Sequence, residues 1–440
     1  MSDLEDLERR VAEGQADAMV SLGWLADEAG DQALAESWWQ KAADLGNSDG
    51  MWGLGALADD AGDKELAKSW YTKAADLGDA SAMWRLGMHA NEAGDEALAQ
   101  SWYQKAADLG DSNAMWSLAV LTEDAGDEVL AKSWFQKAAD FGNSDGMWRL
   151  GLLAYEAGDK ALAESWWQKA AQLGNTDAMY QLGLFAHDEH DTVGVRNWWG
   201  QAAEAGHLEA MYNLGFLSAD AQDRRWWATA ADAGHVDSMH ILGTLANDGG
   251  DKASAREWWI RASEAGHMQA MKNLSILADE IGSPVEAYEW HTQAAEAGDS
   301  EAMVRLGVAA YEAGDLAKAH DWYEKASEAG QPDAMFNLGL LEMEAGNKPA
   351  ARRWWIRASD AGHTGAMFNL GRIAHDEEDL VVAREWYTQA AEAGNTDAMT
   401  GLGFLAAFAK DQDQAREWFE RAVEAGDTEA AAILESLDAG

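Results

Sequence analysis

Twelve carboxylates recur at one place in this 440-residue chain: Glu28, Asp60, Glu92, Asp124, Glu156, Asp188, Asp220, Asp248, Glu280, Glu312, Glu344 and Asp376, with Phe408 at the thirteenth. Each lies nine residues after a Met that opens a Met-x-x-Leu motif. Spaced by about one helix packing distance, 8 to 10 Å, such a row repels itself only weakly in water and could hold a Lys/Arg-rich segment. A solvated polar position is the plainer reading. The residue just after each Met is aromatic in a block, Trp52, Trp84, Trp116, Trp148, Tyr180 and Tyr212, and again at Phe336 and Phe368. An aromatic strip beside carboxylates suits cationic side chains through cation-π contacts, although packing between repeats would also place aromatics there. His187-Asp-Glu-His190 offers two imidazoles beside carboxylates, a weak metal candidate without a third His nearby. No Gly-rich phosphate loop, Gly-x-Ser-x-Gly or His-Glu-x-x-His occurs, and carboxylates that recur by repeat are no sign of a catalytic pair. No enzyme and no cofactor is expected.

The elements that must position these residues follow from the period. The register Met falls at 19, 51, 83, 115, 147, 179, 211, 239, 271, 303, 335, 367 and 399, a step of 32 residues everywhere except the 28 between Met211 and Met239. One supersecondary unit has been stacked thirteen times. Met19, Leu22, Leu25 and Ala26 share one helical face, and Gly30-Asp31 supplies a stop and then an N-cap: helix A. Leu34, Ala35, Trp38, Ala42 and Leu45 share another, with Lys41 near its end and Gly46 closing it: helix B.

Eleven mid-helix glycines follow the register Leu, from Gly23 to Gly403, and since each costs about 1 kcal/mol relative to Ala, close approach of helices A and B is expected there. Trp38, Trp70, Trp102, Trp134, Trp166, Trp198, Trp226, Trp258, Trp290, Trp322, Trp354, Trp386 and Trp418 form an unbroken column on helix B, expected to be buried between units. Residues 1–14 read as a capping half-repeat, 15–426 as the array and 427–440 as a capping helix. In the short unit, Asp223-Arg-Arg-Trp226 replaces the longer Asp31 to Trp38 spacing, so helix B is expected to lose its first turn and 211–239 to form a joint with altered curvature. His207, His235, His267 and His363 occupy a loop position and read as turn residues.

The 78 acidic against 32 basic residues give a net charge of −46, which disfavours nucleic acid and anionic membrane surfaces and favours a basic partner, or serves solubility in high salt. With no Cys, disulfides and thiolate metal sites are excluded. No apolar leader or membrane-length run occurs, so a cytoplasmic protein is expected.

Lys-Ala-Ala-x-x-Gly-x-x-x-Ala-Met-x-x-Leu, as in Lys105 to Gly110 running into Met115 and Leu118, resembles the Sel1-like repeat, a relative of the tetratricopeptide repeat. The resemblance covers about residues 10 to 435, with a unit compressed to 32 residues and without the paired Cys of secreted members. It implies an all-α fold, a right-handed superhelix with helix A lining the concave face, and use as an adaptor for other proteins; it implies no chemistry. The expectation is a monomeric protein-interaction scaffold whose groove takes a basic peptide or protein segment. A small-ligand binder, for a cationic metabolite or a carbohydrate, and a spacer or self-assembling solenoid remain alternatives.

Overall fold

Two residues, a stop and a cap, build the turns that follow the first full unit's helices. In the computed structural model, which describes residues 3–217 and 221–438, helix A of the first full unit runs Ala16–Glu28 and helix B Gln32–Asp44. Gly30 adopts φ 78°, its N–H donates to the Asp27 carbonyl at 2.8 Å, and the Asp31 N–H donates to the Ala26 carbonyl at 2.9 Å, a Schellman ending. Asp31 then caps helix B, accepting the Leu34 N–H at 3.1 Å. Gly46-Asn47 repeats the device, with Asn47 accepting from Gly50 N–H at 3.0 Å to start the next helix A. Among the described residues thirteen such pairs are flanked by Asp3–Ala12 and Thr428–Asp438, the structure is 81% helical, and it has no strand. No described helix is long and apolar enough to cross a membrane.

The mid-helix glycines do mark the closest approach of A and B, but the partner is the residue after the Trp column. A Cβ on Gly183 would sit 2.1 Å from Trp199 Cδ1, and one on Gly23 would sit 2.3 Å from Trp39 Nε1. The same contact joins Gly55 to Tyr71, Gly307 to Tyr323 and Gly403 to Phe419. At Gly183 and Gly339 the absent Cβ lets the facing indole reach helix A's backbone: Trp199 Nε1 donates to the Tyr180 carbonyl at 3.2 Å and Trp355 Nε1 to that of Phe336 at 3.1 Å, whereas the buried Trp39 Nε1 makes no such bond.

The column itself corrects the expectation of burial. Trp102 and Trp134 are half-buried, each packed against the core of the preceding unit. The physical reason is the 100° rotation between neighbouring helical residues: when Tyr103 and Phe135 point into the gap opposite helix A, the preceding Trp must lie at its edge. There its outer face is covered by a cation one turn on. Lys105 lies 4.0 Å from the centre of the Trp102 ring, Lys137 3.7 Å from that of Trp134, and Arg357 4.7 Å from that of Trp354.

The short unit also departs from expectation. Its helix A, Leu208–Leu214, has 7 residues, whereas its helix B, Ala221–Asp232, keeps 12. Helix A gives way because the A-to-B contact is fixed by Trp227, whose ring seats on Gly215 and donates to the Tyr212 carbonyl at 3.0 Å. In the sequence no Gly follows Gly215 to stop a longer helix A before Trp226. The chain divides into two compact units, Met1–Ala230 and Ala231–Gly440, with the division inside this 28-residue interval.

Candidate functional site

The acidic row stands on helix ends. Glu28, Asp60, Glu92, Asp124, Glu156 and Asp188 are each the last residue of a helix A and all are exposed; Asp220 lies outside the described residues. In the second unit Asp248, Glu280, Glu312, Glu344 and Asp376 end their helices in the same way. A carboxylate at a helix C-terminus is unfavourable by about 0.3 to 1 kcal/mol, and the structure offsets this at some steps with a cation from the preceding helix B. Lys64 Nζ lies 2.6 Å from Glu92 Oε2, holding that carboxyl below its usual range, and Lys252 Nζ lies 2.7 Å from Glu280 Oε2. Tyr311 OH donates to Glu344.

The aromatics Trp52, Trp84, Trp116, Trp148, Tyr180 and Tyr212 are half-buried. One edge of each packs inward: the Trp52 and Tyr71 ring centres are 6.5 Å apart, and those of Trp116 and Phe135 5.2 Å. Trp84 Nε1 donates to Ser117 Oγ on the next helix A at 3.1 Å. The two sets of residues meet in a cavity of about 330 Å³ lined by Asn91, Glu96, Tyr103, Trp116, Ser117, Val120, Leu121 and Asp124. Helix A's end, helix B's start and the following helix A form it.

One step earlier the register puts a hydrogen-bonded polar trio there. Tyr71 OH donates to Asp59 Oδ2 at 3.0 Å, and His89 Nε2 lies 2.9 Å from Asp59 Oδ1. Burial, then the Asp59 charge, pushes the Tyr71 hydroxyl well above its usual range. Nothing in the sequence period singled out this Tyr-Asp-His trio, because Asp59 and His89 belong to columns that vary from unit to unit.

The four histidines expected at turns are N-caps of helix A. His363 Nδ1 accepts the Ala366 N–H at 3.1 Å while its Nε2 lies 3.3 Å from Asp333 of the preceding unit; His267 does the same with Ala270 and Asp237. Asn47 and Asn175 make the equivalent link, donating from Nδ2 to Asp17 at 3.1 Å and to Asp145 at 2.8 Å. The sequence signal for this inter-unit ladder, which the turn reading of the histidines does not contain, is an Asn or His thirty residues after an Asp. His187 stacks on Trp199 with ring centres 6.1 Å apart, and His190 takes the left-handed turn position at φ 58°. Among the described residues no three His, Asp or Glu side chains converge as metal ligands.

The repeat geometry is matched by comparison with known proteins. The Sel1 repeat model matches residues 16–47, 49–79, 80–111, 112–143, 144–175, 237–267 and 397–427, half of the chain in total. The chain belongs to the Sel1 repeat family. A tetratricopeptide repeat model matches residues 285–334, 305–362 and 336–398, where the Sel1 units drift. Among solved structures, the chain is similar to c5321, a protective antigen of uropathogenic Escherichia coli strains with an SLR fold, at 24% identity and a TM-score of 0.55. That match covers 99% of this chain and 98% of the antigen. A Sel1 repeat protein from Oxalobacter formigenes shares 26% identity at a TM-score of 0.52 over 62% of this chain and 89% of its own. These likenesses concern the fold. No curated protein sequence matches this chain.

Proposed function

We propose that this Sel1 repeat protein is a non-enzymatic, cytoplasmic, monomeric scaffold whose groove holds a Lys/Arg-rich peptide or protein segment. The observation that carries the reading is the cavity shared by Trp116 and Asp124, where a half-buried indole and an exposed carboxylate face one space at a step the repeat multiplies. A guanidinium or ammonium there gains an ion pair and a ring face together, an arrangement worth about 0.5 to 2 kcal/mol per site. Repetition along a row converts such small terms into useful affinity through effective concentration. The net charge of −46 adds long-range attraction for basic partners and raises their association rate.

The test is calorimetric titration of a Lys-rich peptide and its Gln-substituted counterpart into the protein and into a variant carrying Asp60→Asn, Glu92→Gln, Asp124→Asn and Glu156→Gln. Binding of the Lys peptide alone, weakened at least about tenfold in the variant, is the expected result. Equal affinity of protein and variant for the Lys peptide would remove the acidic row as the binding element.

A further inference from the structure

At its C-terminal end the acidic row changes chemistry. The positions held by Glu96, Val120 and Asp124 beside Tyr103 are held nine steps on by Leu380, Phe404 and Phe408 beside Tyr387. The cavity there reaches about 940 Å³. Phe408 is 78% exposed and Phe404 54%, so two benzyl groups face water where every earlier unit has a carboxylate at the first position. Phe404 is held edge-on against the buried Phe419 ring at 5.4 Å, which fixes one wall, while His375 and Glu378 form a polar rim. An exposed apolar concavity rimmed by polar groups is a common form of docking site.

We propose that this cavity receives one large apolar side chain of a segment whose basic residues lie along Asp376, Glu344 and Glu312, which extends the reading of the acidic row given above. The bound segment therefore has a Trp, Phe, Leu or Met anchor and, to one side of it, Lys or Arg about every third residue. The spacing follows from helices A of successive units being neighbours, as Trp84 and Ser117 show, at about 8 to 10 Å, against about 3.3 Å per residue of extended chain. Charge selects this occupant over a second copy of the chain, which would bring −46 to the same acidic face. The Phe408 step supplies register: a uniform row would let a basic segment slide by whole units, and an anchor at its end stops it.

Three labelled peptides test it: Trp-Ser-Ser followed by three Lys-Ser-Ser repeats, the same with Trp replaced by Ser, and the same with every Lys replaced by Gln. The anchored Lys peptide is expected to bind at least about tenfold more tightly than either of the others. Phe408→Glu, an exposed change that restores the row, is expected to erase the advantage of the anchor and leave the anchorless Lys peptide bound as well or better, with unchanged circular dichroism. Equal binding of the anchored and anchorless Lys peptides, both above the Gln peptide, would overturn the anchor and leave the acidic row standing. Binding of the anchored Gln peptide as tight as the anchored Lys peptide would overturn the proposal the other way, leaving an apolar cavity unrelated to the row. Persistence of the anchor's advantage in Phe408→Glu would also overturn it.

Discussion

Gly183 and Trp199 define the tolerance of the core at the scale of single residues. Gly183→Ala should destabilise by about 1 to 3 kcal/mol, read from denaturant unfolding, because the new Cβ meets the indole at 2.1 Å and this outweighs the roughly 1 kcal/mol of helix propensity gained. Adding Trp199→Phe should recover part of the loss. The chain already contains both compensations: Ala119 and Ser275 replace the glycine in the two units whose facing ring is Phe135 or His291. The need for close approach was readable from eleven costly glycines; its partner was not. Two adjacent aromatics compete for one gap, and the invariant Trp lies at its edge, where at Trp102 and Trp134 a Lys covers its outer face, whereas the gap accepts whichever ring the opposite residue leaves room for.

His363 gives a pH prediction at the same scale. Burial holds its imidazole below the ordinary 6.5 despite Asp333, so the folded protein keeps it neutral, with Nδ1 accepting from Ala366. Between the lowered folded value and 6.5 the unfolded chain binds more protons, so stability is complete above about pH 6.5 and declines as pH falls through that window. His240 and His291 are also lowered, chiefly by burial, and act in the same direction. Asn395 caps an equivalent helix without a titratable ring, so His363→Asn should keep the cap and flatten the pH dependence of the urea midpoint between about pH 5 and 7. An unchanged slope would show that His363 titrates alike in both states.

At the scale of elements, the turns were the most legible part. Gly-Asp and Gly-Asn pairs mark stops and caps because only Gly enters the left-handed region at no cost, and the structure follows them residue by residue. Among the described residues three turns have another residue where Gly usually stands: His190, Glu378 and Lys410 take φ 58°, 64° and 63°. Lys410→Gly should therefore raise stability, by about 0.5 to 1 kcal/mol, a reversal of the usual penalty for Gly that thermal unfolding can register. The inter-unit N-cap ladder is hard to see in the sequence because a capping residue is defined by its own helix, while its second hydrogen bond crosses thirty residues. Asp79 is a cap that cannot make that link: burial and then the Asp79 charge raise the Asp49 carboxyl. Asp79→Asn would donate to Asp49 as Asn47 does to Asp17, and should stabilise by about 0.5 to 1 kcal/mol.

Over the whole molecule, the period dictated helix content and pairing, and the one irregular interval dictated where regularity fails. It did not dictate which helix yields. That depended on the Trp227–Gly215 contact, a tertiary preference that no count of residues contains. We keep the joint at 211–239 as a proposal, motivated by the short Leu208–Leu214 helix and by the division of the chain at Ala230 and Ala231. The charge of −46 is a property of the full chain and carries its own expectation: self-repulsion should make the melting temperature climb by several degrees as salt rises from about 10 mM to about 500 mM.

Salt acts in opposite directions on stability and on the proposed binding, and that opposition makes ionic strength the most direct probe of the groove. The decisive measurement is the affinity of a Lys-rich peptide as a function of salt, for the protein and for the variant neutralised at Asp60, Glu92, Asp124 and Glu156. Affinity for the unaltered protein should fall steeply across about 50 to 300 mM salt, and the variant should bind weakly with a visibly flatter dependence. Parallel dependences for the two proteins would contradict the account, because the carboxylates at the helix ends would then contribute nothing that the remaining surface charge does not.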